Sequence, residues 1–224
     1  MSTAFSMTRR SLLVGGLAGL CAACGNSPLA TLPTIVRDLV GKGANVPLTR
    51  AQIDKIRYAT IAARIGDSNQ ALLLLRRYAG ANLVWASGNG KVIVTRHGRI
   101  VQTYGFVQDL KATISYDADP VADFSNYASG QIYRRSVDIE PDNHYGVLVT
   151  SQFARIGPTV ITILGMAHRT ILWREKGAAP LLDWRFTNSF WVDERTGYVW
   201  KSVQQPVPNI SHFEIETFRP ARHP

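Results

Sequence analysis

Two sets of side chains in this sequence could do chemistry in a cleft: paired carboxylates and tryptophans. Asp138 and Glu140 share a strand face by their i, i+2 spacing, as do Glu214 and Glu216. Carboxylates held about 5–9.5 Å apart across a cleft hydrolyse glycosidic bonds. On the wet side of a sheet the same pairs are solubilising charge, and alternation such as Phe213-Glu-Ile-Glu favours that account. Asp117, Asp119 and Asp123 surround Pro120 and could take a cation, although aspartate is equally a turn residue. Trp85, Trp191 and Trp200 are candidate glycan or partner contacts, because sugar rings stack on indole faces. Most of the five tryptophans sit beside Ile, Val or Phe, so core packing is the simpler expectation.

Other chemistries have no carrier. The sequence has no G-x-S-x-G, H-E-x-x-H, Walker or dinucleotide fingerprint. Gly88-Asn89-Gly90 has hairpin-turn character. The histidines at 97, 144, 168, 212 and 223 stand singly, without the pairing that zinc sites use. No catalytic residue, metal or cofactor is therefore expected. Twenty-five Lys and Arg against sixteen Asp and Glu give a formal charge of +9, which favours an anionic partner. Nucleic acid is not that partner. Arg76-Arg77 and Arg134-Arg135 fall within strands, where neighbours alternate faces, and they form no RNA-binding motif.

The elements that must position these residues begin after an address. Arg9 and Arg10 form the positive region of a signal peptide over residues 1–23, and Leu12–Ala23 its short apolar stretch, too short to span a bilayer. Ala22-Ala23-Cys24 resembles the lipobox of bacterial lipoproteins, which makes Cys24 the expected lipid attachment site (N-palmitoyl and S-diacylglycerol cysteine). Cys21 is preceded by bulky Leu20 and is the poorer candidate. Thr8–Leu13 also resembles a twin-arginine motif, and a chance arginine pair in a general secretory signal accounts for it as well. Removing residues 1–23, with two of the basic residues, leaves 201 residues, a charge of +7 and one cysteine, so no intramolecular disulfide is expected. The absence of Asp after Cys24 implies, by the enterobacterial sorting rule, an outer-membrane anchor facing the periplasm.

Residues 24–33 read as a lipidated tether and 34–224 as one domain. Helical spacing covers 33–40, and Thr49-Arg-Ala-Gln52 is a capping box opening a helix that ends near Ile56. Strands are predicted over 58–65, 70–78, 83–87, 91–96, 99–104, 131–139, 147–156, 160–164, 170–174, 184–192, 198–203 and 213–218, with turn residues between. Asp193…Gly197 closes a hairpin in which Phe190 and Val192 face opposite to Trp191. The fold class is mainly β, an antiparallel sandwich or partly closed barrel preceded by a short helical region.

Ile56-Arg-Tyr-Ala-Thr-Ile with Arg64-Ile-Gly66, Trp85-Ala-Ser, Val94-Thr-Arg-His-Gly-Arg-Ile-Val101, Asn188-Ser-Phe-Trp-Val-Asp193 with Thr196-Gly-Tyr-Val, and Glu216-Thr-Phe-Arg-Pro220 occur in this order. In that order and spacing the chain resembles the YjbF/GfcB lipoproteins over essentially the whole mature sequence. The resemblance implies a mainly antiparallel β fold and a role in group 4 capsule or exopolysaccharide production. It also implies an outer-membrane β-barrel and a small periplasmic protein as possible partners, and carries over no catalytic residues. With the charge and anchor it favours a non-enzymatic accessory factor in polysaccharide export or assembly, with acidic polysaccharide as a possible ligand. A glycan-modifying enzyme using a carboxylate pair and a purely structural adaptor remain open.

Overall fold

The computed structural model describes residues 48–128 and 130–221. The signal and tether readings, with Arg9, Arg10 and Cys24, and the helix expected over 33–40 lie outside the described residues. Helix α1 (Arg50–Asp54) is opened by the expected capping box: Thr49 Oγ1 accepts from Gln52 N–H at 3.3 Å, and Gln52 Oε1 accepts from Thr49 N–H at 2.8 Å.

Twelve strands follow: β1 (Thr60–Ile65), β2 (Ala71–Ala79), β3 (Asn82–Ser87), β4 (Val92–Arg96), β5 (Arg99–Tyr104), β6 (Asp109–Ser115), β7 (Ile132–Glu140), β8 (His144–Ile163), β9 (Met166–Ala179), β10 (Trp184–Asp193), β11 (Val199–Gln204) and β12 (Phe213–Arg219). They form one antiparallel sheet in the order 5-4-3-2-1-12-11-10-9-8-7-6. β1 pairs with β12, from Thr60 opposite Arg219 to Ile65 opposite Phe213. The two remaining edges, β5 and β6, meet without a backbone ladder. Side chains bridge them instead: Thr113 Oγ1 donates to the Val101 carbonyl at 3.0 Å, Gln102 Nε2 to that of Lys111 at 2.9 Å, and Leu110 N–H to Thr103 Oγ1 at 2.9 Å. The result is a nearly closed barrel, the second of the two architectures expected.

Alternation fills it. Trp184, Phe186, Asn188, Phe190 and Val192 are the buried face of β10. Ile61, Leu73, Trp85, Phe186, Phe213 and Ile215 belong to one interior cluster, each large side chain contributing about 1.5–3 kcal/mol by burial. Leu72–Leu75 is an unbroken buried run because β2 is covered on both faces. Outside, Leu72 and Leu74 pack with Ala62 and Phe218 against Ile53 and Ile56 from the helical region and Ile161, Ile163 and Leu164 from the tip of the β8–β9 hairpin.

Three expectations need correction. Strand β6 was not expected, because only Leu110 of its seven residues is buried and no alternation shows. The separate runs at 147–156 and 160–164 are one strand, bent by a bulge between Arg155 and Gly157. The run at 170–174 extends over Met166–Ala179 to match it.

The Asp193–Gly197 turn forms as read: Asp193 Oδ1 accepts from the N–H groups of Arg195 and Thr196 at 3.1 and 2.9 Å, and Gly197 has φ +71°. No atom lies within 4 Å of a Cβ placed there, so Gly197→Val would act through backbone strain alone. The expected loss is about 1 kcal/mol, seen as a thermal midpoint lower by about 2–4 °C.

Candidate functional site

At one end of the barrel the β2–β3, β4–β5 and β10–β11 turns surround a mouth of about 530 Å³. That volume lies in the range of small-ligand sites, which favour barrel mouths. Trp85, Ile61 and Ile215 form its floor, with Tyr78, His97, Tyr198 and Trp200 around the wall. The buried hydroxyls of Thr95, Ser202 and Thr217 lie within this apolar lining and bond inside the protein, accepting from Trp85, Gln204 and Tyr198. The rim is irregular for a reason. Five register shifts fall at this end of the sheet: between Thr60 and Ile61, Leu75 and Arg77, Val94 and Thr95, Arg155 and Gly157, and Trp191 and Val192. Each bulge inserts an unpaired residue and turns its neighbours away from strict alternation. The last one turns Trp200, which lies opposite no residue of β10, into the wall. Gly98, at φ +96°, lets the β4–β5 turn close on Val199, whose Cβ would stand 2.6 Å from a side chain there.

The structure brings two of the three candidate tryptophans together. Trp85 is 2% exposed and donates Nε1–H to Thr95 Oγ1 at 2.8 Å. Trp200 is half-buried between His168 and Tyr198, at 4.1 and 5.0 Å between ring centroids, and donates to Asp193 Oδ2 at 3.0 Å. Trp191 is not part of the mouth; it packs under the Lys201 ammonium, 5.7 Å from its ring. No tryptophan among the described residues is exposed, so sugar stacking would require entry into the mouth rather than an open platform.

The carboxylates are occupied elsewhere. Glu214 and Glu216 clasp Lys201 at 2.6 and 2.9 Å, and Glu214 also meets Arg64 at 2.6 Å. Asp138 accepts from Gly146 N–H at 2.7 Å, while Glu140 pairs with Lys111 at 3.0 Å. Neither pair lines the mouth. Asp117 pairs with Arg134, Asp119 with Arg99, and Asp123 accepts from Ser125 N–H, so each of the three has a local partner in place of a cation. Among the described residues no group of three His, Cys, Asp or Glu could hold a metal.

Beside the mouth lies a cluster that strand spacing did not reveal. Glu175 is fully buried and receives Arg99 at 2.9 and 3.2 Å, Arg135 at 2.9 Å, Ser151 Oγ at 2.7 Å and Asn188 Nδ2 at 2.8 Å. Asp119 takes two further bonds from Arg99, at 2.6 and 3.0 Å. Burial pushes the Glu175 carboxyl up, but Arg99 and Arg135 outweigh it and hold it at about 2. Burial likewise opposes the charge on Arg99, and Asp119 and Glu175 reverse that, so its pKa is raised. The rings of Tyr133, Phe153 and Phe190 stand 5.1–5.7 Å from the Arg99 guanidinium and exclude water from it. Two buried arginines balanced by two carboxylates, every one hydrogen-bonded, make a structural lock rather than a reactive centre. The lock shapes the mouth: Arg99 follows Gly98 directly, and Asp119 caps the 3₁₀ turn that brings Val121 into the wall, accepting from Val121 N–H at 3.1 Å.

Residues 31–218 match the family described as group 4 capsule polysaccharide lipoprotein GfcB, YjbF. The chain belongs to that family. The match takes in the whole barrel, mouth and ionic lock included, and the family description names a lipoprotein linked to capsule and no enzymatic activity. The chain is 23% identical over 213 residues to the uncharacterized lipoprotein GfcB of Escherichia coli (strain K12), covering 95% of this chain and 99% of that protein. The crystal structure of the hypothetical lipoprotein YmcC from Escherichia coli (K12) superposes with a TM-score of 0.71 at 23% identity, over 79% of this chain and 91% of that one. At that identity the likeness is one of fold.

Proposed function

We propose that this YjbF-family protein is a non-enzymatic accessory factor in capsule or exopolysaccharide export or assembly. In this reading it is anchored through Cys24 to the periplasmic face of the outer membrane and engages a saccharide segment at the barrel mouth. It works beside an outer-membrane β-barrel and a periplasmic partner of the same export system. The observation that carries the reading is the family match across the entire barrel. The mouth supports it: its aromatic walls suit a sugar ring, and the paired carboxylates stand away from it on cation partners.

The test is deletion of the gene, with surface polysaccharide measured after complementation. Wild-type protein should restore the yield, whereas Trp200→Ala and Tyr78→Ala should restore it poorly at wild-type protein levels. Full restoration by both variants would remove the mouth from the reading. The anchor has its own test. Each buried methylene of an acyl chain contributes about 0.8 kcal/mol to membrane binding, so Cys24→Ser should move the protein from the membrane to the soluble fraction and abolish palmitate labelling. Continued labelling of Cys24→Ser would refute the assignment, and Cys21→Ser should label normally.

A further inference from the structure

Beyond the mouth, β2 outruns its neighbour. Thr60 of β1 lies opposite Leu74, Leu75 N–H donates to the Ala59 carbonyl at 2.9 Å, and past that point β2 pairs with β3 alone. The preceding segment, Arg57–Ala59, peels away from β2 as β12 ends at Arg219. The gap is a second pocket of about 450 Å³, floored by Ala59 and Leu75 and walled by Arg57, Arg76, Arg77, Arg219, Tyr58 and Tyr78.

Consecutive residues of a regular strand point to opposite faces, and on spacing alone Arg76 and Arg77 would diverge. The bulge between Leu75 and Arg77 leaves Arg76 without a partner on β3, and both arginines line the pocket. Arg219 is tied down: Nη1 donates to the carbonyls of Ile56 at 2.5 Å and Asp54 at 3.4 Å, which holds the segment carrying Arg57. Arg57, Arg76 and Arg77 differ from the paired arginines of the barrel, and from unpaired ones such as Arg155 in sharing one pocket. Arg64, Arg99, Arg134 and Arg135 each meet a carboxylate, whereas these three meet none among the described residues, and no acidic residue lines the pocket. Exposed arginines set around a concavity without counter-charge present forks that fit the planar oxygens of a carboxylate or the oxygens of a phosphate. Tyr78 belongs to both pockets, so a chain lying across the rim would meet aromatic walls on one side and arginines on the other.

We infer that this arginine pocket is an anion subsite, which receives the carboxylate or phosphate group of an acidic saccharide whose neighbouring ring lies in the barrel mouth. The inference rests on the saccharide-binding reading above, and the experiment separates the two. Full-length lipoprotein in neutral detergent is titrated with an oligogalacturonate octamer, with malto-octaose as the neutral probe, and with inorganic phosphate and glycerol phosphate. Binding is followed by calorimetry and tryptophan fluorescence. The octagalacturonate should bind with an affinity that falls steeply with salt. Arg76→Gln and Arg77→Gln should each weaken it about tenfold, while Arg155→Gln, on an exposed part of β8, should leave it unchanged. Equal binding by wild type and both pocket variants would overturn the subsite and leave the mouth intact. Binding of malto-octaose alone would do the same. Arginine-dependent binding of phosphate or glycerol phosphate without the acidic octamer would overturn the saccharide and assign the site to a free phosphate or a lipid headgroup. Binding of neither octamer would overturn both readings.

Discussion

Glu175→Gln is expected to destabilise the protein by about 3–5 kcal/mol, because it leaves Arg135 and part of Arg99 buried without their counter-charge. Against a typical total of about 5–15 kcal/mol, that is a large share of stability. In a domain of this size it should lower the thermal midpoint by about 10 °C. Replacing Arg135 and Glu175 together by Met and Leu should lose less than Glu175→Gln alone, since an apolar pair leaves no orphan charge and Asp119 still holds Arg99. The same carboxylate sets an acid limit. Its pKa is held at about 2 in the fold against an ordinary 4.5, so the unfolded chain takes the proton first as pH falls. The contribution of about 3 kcal/mol is complete above pH 4.5 and is lost between there and pH 2. Thermal midpoints measured from pH 6 to pH 2.5 should fall for the wild type and change less for Glu175→Gln over the acid half of that range. A Glu175→Gln midpoint within 2 °C of wild type at pH 7 would refute the lock.

Gly177→Ala is expected to be the most damaging single-methyl change. Gly177 faces Phe186 across the β9–β10 ladder, and a Cβ there would stand 2.1 Å from the tip of the phenylalanine ring. The ring is buried beside Trp184, at 4.7 Å between centroids, and lies 5.4 Å from the Arg135 guanidinium, so it has little room to withdraw. Overpacking of this kind costs about 1–3 kcal/mol, and the upper end is expected because the displaced ring also disturbs the charge cluster. Phe186→Leu should rescue Gly177→Ala while destabilising the wild type, and chemical denaturation of the four proteins measures that coupling. Additive losses would show that the methyl group is accommodated elsewhere.

Strand, turn and cap chemistry were legible because they are local. His97-Gly98 adopts the left-handed backbone a two-residue hairpin needs, at φ 53° and 96°, and Thr49 caps α1 through the predicted Gln52. β6 was illegible because it lies at the sheet edge with one buried side chain. The β8–β9 hairpin read as fragments because Gly157-Pro158 looks like a break in sequence, whereas both residues pair with β9 just past a bulge at Ile156. The pairing in the lock could not be read, since Arg99 and Glu175 are 76 positions apart. One signal did exist: Arg135 keeps step with Tyr133, Val137 and Ile139, the buried set of β7, so a charge stood where an apolar residue was due. The mouth and arginine pocket depend on bulges, and no period of two reveals where that period is broken.

The strand order also sets how the barrel can assemble. Of the eleven pairings in the sheet, ten join strands that are neighbours in sequence, and one, β1 with β12, joins Thr60 to Arg219. Most of the ten can begin as short hairpins on the microsecond scale, at small loop entropy, and the longer connection over 116–131 between β6 and β7 is still local. The β1–β12 junction must enclose nearly the whole domain, so it has little to gain until the meander already stands. The outer layer of α1 and the β8–β9 tip, which packs across β1, β2 and β12, can then settle only on a junction already made. Damage to that layer should therefore speed unfolding more than it slows folding.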